Sequence, residues 1–266
     1  MRSFFYWGVA AVLVCSGLPS QAAGRKLLDQ IVLHPSTEAV QSTGKRLVLP
    51  SGLEVWRYER HGHEPIQQHL FMIHFIGNAS RAEREVPAFL DLFPEDTDLE
   101  IWSVNYPGYG GSKGEATLAS FPSAALDVFD NLAMKANGSP IWVSSFSIGT
   151  LPALYLAKER PVKAVILRNP VPLKELILRD YGWASWIVSD IPTELDSIQN
   201  AGKIHAPALF LSSEKDQMVH PSLHQQIHSS YAGKSEFVVL PGAGHNDRIP
   251  TSVFSQITAE LRRLVD

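Results

Sequence analysis

The chain has 266 residues, 45% hydrophobic and 19% charged, a composition that suits one large globular domain. Lys and Arg number 23 against 27 Asp and Glu, a net charge of -4 with no basic run, which excludes a nucleic-acid footprint and a polybasic membrane patch. The expected partner is a small molecule.

The first residues, MRSFFYWGVAAVLVCSGLPSQAAGRK, carry one cation at Arg2, an apolar stretch from Phe4 to Cys15, and then Ser20-Gln21-Ala22 in a small-x-small pattern. This pattern predicts a signal peptide over residues 1–22, removed on export to a periplasmic or secreted location, with membrane association only if the segment is retained as an anchor. Cys15 is the single cysteine. A chain cleaved after Ala22 would then have no disulfide, thiol nucleophile or thiolate-metal site.

From Lys45 onward, short β-rich runs alternate with helical spacings, which predicts an α/β fold of about eight strands, mostly parallel, with helices on both faces. RLVLP and LEVWRYER flank the turn SGL as an antiparallel hairpin. HLFMIHF, LEIWSVNY, PIWVSSF, VKAVILRN, PALFLSS and SEFVVLP follow, nearly continuous apolar runs of the kind buried on both faces. Helical spacing is read in RAEREVPAFLDLF, FPSAALDVFDNLAMKAN, IGTLPALYLAKE, PSLHQQIHSSY and PTSVFSQITAELRRLV. Residues 23–266 thus read as one domain. The stretch 171–203 is longer than a crossover needs and reads as a small cap insertion, with Tyr181, Trp183 and Trp186 fastening it to the body or lining an acyl pocket.

Ligands of open α/β sheets bind at the carboxyl ends of the strands. Ser147 stands there, between PIWVSSF and the helix that follows, in the sequence Ser145-Phe146-Ser147-Ile148-Gly149. Small residues on either side let strand and helix approach closely, as the turn that exposes a nucleophilic serine requires. A serine hydroxyl needs a base, and His245 lies in the glycine-rich loop PGAGHND after the last strand. The base needs a carboxylate to orient it. Asp216, after the seventh strand, is preferred over Glu214, two residues nearer the strand, and over Asp247, too close in sequence to reach its neighbour's ring.

The chain order Ser147, Asp216, His245 resembles that of the α/β-hydrolase serine hydrolases. NYPGYGGSKGEAT resembles the D-Y-R-G-Y-G-x-S-x-G loop of the Bem46-like branch, and FIGNAS its F-H-G-N-A-G loop, with D-x-x-V-x-P and GHND also matching. Departures are Ile76 in place of the branch's histidine, Ser80 for its second glycine, and Ser145 for the first glycine of G-x-S-x-G. The resemblance implies an α/β-hydrolase fold and a backbone oxyanion hole from Ile148 and Asn78. It implies hydrolysis of a carboxylic ester or related acyl bond through an acyl-enzyme, on a small-molecule acyl substrate, with no cofactor or metal. Thioesterase, amidase, peptidase and acyltransferase activity use the same machinery, and a non-catalytic exported binding protein could keep the same fold.

His220, His224 and His228 recur at i, i+4 and i+8 and share one helix face. Without a completing ligand set they read as a solvated face rather than a metal site.

Overall fold

A computed structural model describes residues 21–265 except Ala39 and Tyr181, and excluding the side chains of Gln21, Ala22, Trp183 and Ala184. The predicted signal peptide therefore lies outside the described residues up to Ser20. Gln21 and Ala22 open a helix, α1 (Gln21–Val32), that the sequence patterns had not indicated. Among the described residues, no helix is long and apolar enough to cross a membrane.

Eight strands form one sheet in the order β1-β2-β4-β3-β5-β6-β7-β8. β1 (Lys45–Val48) and β2 (Glu54–Arg60) make the antiparallel hairpin, and β2 also runs antiparallel to β4 (Thr97–Asn105). β3 (Gln68–Phe75), β4, β5 (Ile141–Phe146), β6 (Val165–Arg168), β7 (Ala208–Ser213) and β8 (Ser235–Leu240) are parallel. The fold is α/β, mostly parallel, with helices on both faces.

Strand alternation divides the core in two. Phe71, Ile73, Phe75, Val143, Leu167 and Phe210 face one side, with helices α2 (Phe121–Ala136), α3 (Thr150–Glu159) and α6 (Pro221–Ser230). Met72, Ile101, Trp142, Ile166, Leu209 and Leu211 face the other, where α7 (Phe254–Val265) inserts Ile257, Leu261 and Val265 at i, i+4 and i+8. Both faces are dry.

The helix read over RAEREVPAFLDLF does not form; residues 81–93 are turns with a single 3-10 turn at Leu90–Leu92. Pro87 removes an amide donor in mid-segment and disfavours helix before it. Tertiary bonds then claim the polar side chains: Arg81 pairs with Glu83, Asn105 donates to Glu83, and Gly77 N–H donates to Glu85.

The insertion after β6 folds as α4 (Leu173–Asp180), 3-10 turns at Gly182–Asp190 and Thr193–Leu195, and α5 (Ser197–Ala201). Leu173, Ile177, Ile187 and Leu195 are buried in the first core, and Trp186 packs half-buried against it, so this aromatic fastens the insertion to the body. Tyr181 and the Trp183 side chain fall outside the described residues.

Candidate active site

β5 runs straight into a 3-10 turn, Ser147–Gly149, that leads into α3. Ser147 holds φ +52°, a left-handed conformation that costs a non-glycine residue about 1–2 kcal/mol. The surrounding packing holds it there. A Cβ on Gly149 would lie 2.3 Å from the Phe75 carbonyl oxygen, so the absence of a side chain lets the turn close against the end of β3. Thr150 Oγ1 donates to the Ser147 carbonyl at 2.7 Å and accepts from Val171 N–H at 3.3 Å, tying the turn to the base of the insertion.

Three side chains meet at this edge. His245 Nε2 lies 3.0 Å from Ser147 Oγ, and His245 Nδ1 lies 2.6 Å from Asp216 Oδ2. All three are buried, at 8%, 7% and 3% exposure for Ser147, His245 and Asp216. Asp216 Oδ1 accepts Met218 N–H at 2.9 Å and Val219 N–H at 2.8 Å. Burial works to raise the carboxyl pKa, but the hydrogen bond and charge of His245, together with those two amides, outweigh it and hold Asp216 below its ordinary value. The other carboxylates turn elsewhere: Glu214 accepts Gly242 N–H and Asp247 accepts Gly244 N–H, at 2.7 and 2.8 Å. Each braces a turn of the histidine loop.

That geometry separates the three acids experimentally. Asp216→Asn leaves an amide that can hold the wrong imidazole tautomer and is expected to lower kcat about 10⁴-fold. Glu214→Gln keeps an acceptor for Gly242 and is expected to stay within about threefold of wild type. Ester turnover measured side by side checks both, and the reverse order would move the acid to Glu214.

Distant segments hold the loops in register. Asn169, fully buried in a left-handed conformation at the end of β6, accepts Ser213 N–H at 2.8 Å and donates to the His245 carbonyl at 2.8 Å. It joins the strand that precedes the acid to the loop that carries the base. Phe146 lies 5.0 Å from the His245 ring, and the Arg168 guanidinium sits over Phe146 while donating to the Asp247 carbonyl. Neither Asn169 nor Arg168 was found from the sequence, because nothing local marks them.

The loop after β3 is fixed from several sides. Tyr106 donates to the Ile76 carbonyl at 2.6 Å, and Glu85 takes Gly77 N–H. Glu85 also lies 3.2 Å from His74 Nε2, whose Nδ1 is 2.8 Å from Ser144 Oγ. The Asn78 amide donates to the Val32 carbonyl at 2.6 Å and its oxygen accepts from His34 N–H and Tyr109 Oη at 3.0 Å each. Asn78 thus belongs to a clamp with the segment after α1. Ile148 occupies the first turn of the helix that starts at the serine, where backbone amides lack intrahelical partners.

The face shared by three histidines is corrected. His224 is fully buried, with Nδ1 2.8 Å from Ser212 Oγ, while His220 caps α6 and His228 packs on Phe210 and Phe237. The signal was present: Leu223 and Ile227 mark the apolar stripe, and 224 lies on it, three residues before 227. A groove of about 1360 Å³ between α1, residues 115–126 and residues 189–194 has none of Ser147, Asp216 or His245 in its lining.

No protein-family model matches the chain. It is 28% identical over 175 residues to an uncharacterized protein of Mycobacterium tuberculosis, a match covering 65% of this chain and 62% of that one, so the chain spans less than two thirds of that relative's length. It is 27% identical over 201 residues to protein bem46 of Schizosaccharomyces pombe, covering 71% of this chain and 66% of the yeast protein. Among solved structures, Est1E from Butyrivibrio proteoclasticus, with ferulic acid bound, superposes with a TM-score of 0.63 at 16% identity, over 82% of this chain and 96% of that one. The chain has the α/β-hydrolase fold. Its relatives include Bem46 and alpha/beta hydrolase domain-containing proteins, as the two glycine-bearing loops had implied. In this hydrolase fold the edge carrying residues 147, 216 and 245 is where strand ends and loops converge.

Proposed function

We propose that this protein is an exported serine hydrolase that cleaves a carboxylic ester or related acyl bond of a small-molecule substrate through a covalent acyl-enzyme. The observation that carries the reading is the unbroken run of contacts from Ser147 Oγ to His245 Nε2 and from His245 Nδ1 to Asp216 Oδ2.

The chemistry follows from these contacts. His245 takes the Ser147 proton as Oγ attacks the acyl carbon, and Asp216 stabilises the imidazolium and keeps Nδ1 protonated. The oxyanion is received by the backbone amides of Ile148 and Asn78, each donor contributing about 3 kcal/mol to the transition state. Commitment of Gly77 N–H to Glu85 supports Asn78 as the amide offered from this loop. The imidazolium then protonates the leaving group, and a water activated by the same base releases the acid. These steps need no metal or organic cofactor. Export rests on the charged, apolar and small-residue order of the first 22 residues.

A fluorophosphonate probe, which reacts with activated serines, tests the reading on the purified chain. Wild type is expected to label and Ser147→Ala to stay unlabelled, with both folded by circular dichroism. A folded wild type that does not label would favour a binding protein on the same fold.

A further inference from the structure

A second imidazole stands behind the acid. His224 on α6 has no exposed surface, and its Nε2 lies 3.6 Å from Asp216 Oδ2, the oxygen that also takes His245 Nδ1. Nε2 makes no hydrogen bond among the described residues. A buried nitrogen left without a full partner carries a desolvation cost that an apolar side chain of the same shape would avoid. An imidazole here needs a reason beyond filling space.

The contacts favour one place for its proton. Burial pushes the His224 pKa down to about 4, against the pull of Asp216 and with His245 and His220 adding to the fall, so the ring is neutral near pH 7. A neutral ring carries one proton. On Nδ1, that proton would leave the Nε2 lone pair facing the lone pairs of an anionic carboxylate 3.6 Å away, a repulsive arrangement. On Nε2, it faces the carboxylate, and the Ser212 hydroxyl, 2.8 Å from Nδ1, donates to the free lone pair. The second arrangement satisfies both ends. The groups that bear on this pair are Ser212 from β7, His245 from the loop after β8, His220 at the N-cap of α6, and Arg168 from β6 acting on Asp216.

We propose that His224 is a positioning residue for the reaction, presenting Nε2–H to Asp216 so that the carboxylate stays ionised and aimed at His245 while the proton moves between Ser147 and His245. This rests on the serine-hydrolase reading. A carboxylate oxygen has two lone pairs. On Oδ2, His245 takes one and leaves the other free for His224 Nε2, 3.6 Å away, while Oδ1 is filled by Met218 and Val219. The donor behind Asp216 weakens the carboxylate's hold on a proton and so moderates how strongly it stabilises the His245 imidazolium. Without it, His245 holds its proton to higher pH, and the acid limb of activity moves upward.

The experiment titrates the His245 ring by ¹⁵N NMR in the full chain and follows fluorophosphonate labelling rate against pH. In His224→Phe the His245 midpoint is expected to rise by about half a pH unit, slowing labelling about threefold below that midpoint and little at pH 9. His224→Gln, whose amide can offer N–H to the same oxygen, is expected to return most of the shift. Ser212→Ala, which adds no bulk and frees the tautomer, is expected to shift the midpoint in the same direction by less, and it decides the matter if His224→Phe does not fold. An unchanged midpoint in folded His224→Phe, or a Gln variant shifted as far as Phe, would overturn the proposal. A shifted midpoint in a chain whose wild type never labels would uphold the role of His224 on the His-Asp pair and sink the hydrolase reading instead.

Discussion

Ser147→Ala is expected to lower kcat for a p-nitrophenyl ester by about 10⁵ to 10⁶-fold, with KM little changed. In the proposed reaction the hydroxyl removed is the group that forms the covalent bond, and no neighbouring oxygen replaces it: Ser145, two residues earlier, is fully buried on β5, and Ser144 is held against His74. The fold should not suffer, because alanine meets the left-handed strain at φ +52° about as serine does and the Thr150 bond goes to the residue's carbonyl. His245→Ala is expected to lose nearly as much, since an unactivated serine is a poor nucleophile. The double variant should be no worse than either single one, because the two act as a unit. Steady-state rates with an active-site titration measure this directly. Turnover in folded Ser147→Ala above a hundredth of wild type would place the nucleophile elsewhere.

Gly149→Ala is expected to destabilise the chain by about 3–5 kcal/mol, placing it among the large single-residue effects. The new Cβ would stand 2.3 Å from the Phe75 carbonyl oxygen, 2.8 Å from its carbon and 2.9 Å from the Ile76 carbonyl oxygen. All three are backbone atoms at the end of a central strand. They cannot rotate aside as a side chain would, so β3 and the serine turn must separate. For a domain of this size, the melting temperature should fall by roughly 10 °C. Activity should fall further than stability explains, because Phe75 leads directly into Ile76, Gly77 and Asn78. Gly138→Ala is the control: its φ of +89° is positive where that of Gly149 is −58°, but nothing lies within 4 Å of its Cβ position, so only the backbone cost of about 1 kcal/mol remains. Thermal melts of the two variants test the contrast. Equal melting temperatures would show that the turn can open freely.

Much of this arrangement was legible because it is encoded locally. Continuous apolar runs marked the inner strands, since a strand covered on both faces has no polar side to show. The hairpin was marked by Ser51-Gly52, and the helices by 3.6-residue spacing. RAEREVPAFLDLF misled for a physical reason: its apolar spacing suits a helix, but Pro87 breaks it and the ionic side chains find partners on other elements. The α6 histidines misled in the opposite way, because helical spacing says which residues share a face and leaves open what covers it.

The sequence by itself determined the eight strands and most of the helices between them, the parallel α/β plan and the fact that a serine, an aspartate and a histidine each follow a strand at the same edge. These depend on residues near one another in the chain. The tertiary structure alone decided that His245 reaches both Ser147 and Asp216, which lie 98 and 29 residues away from it. It likewise decided that Glu214 and Asp247 turn to their own loops, that Asn169 joins residues 44 and 76 positions distant, and that His224 faces inward to the acid. Such contacts depend on how neighbouring strand ends are set side by side by the sheet order, and that order places β3 between β4 and β5 for reasons no local spacing carries.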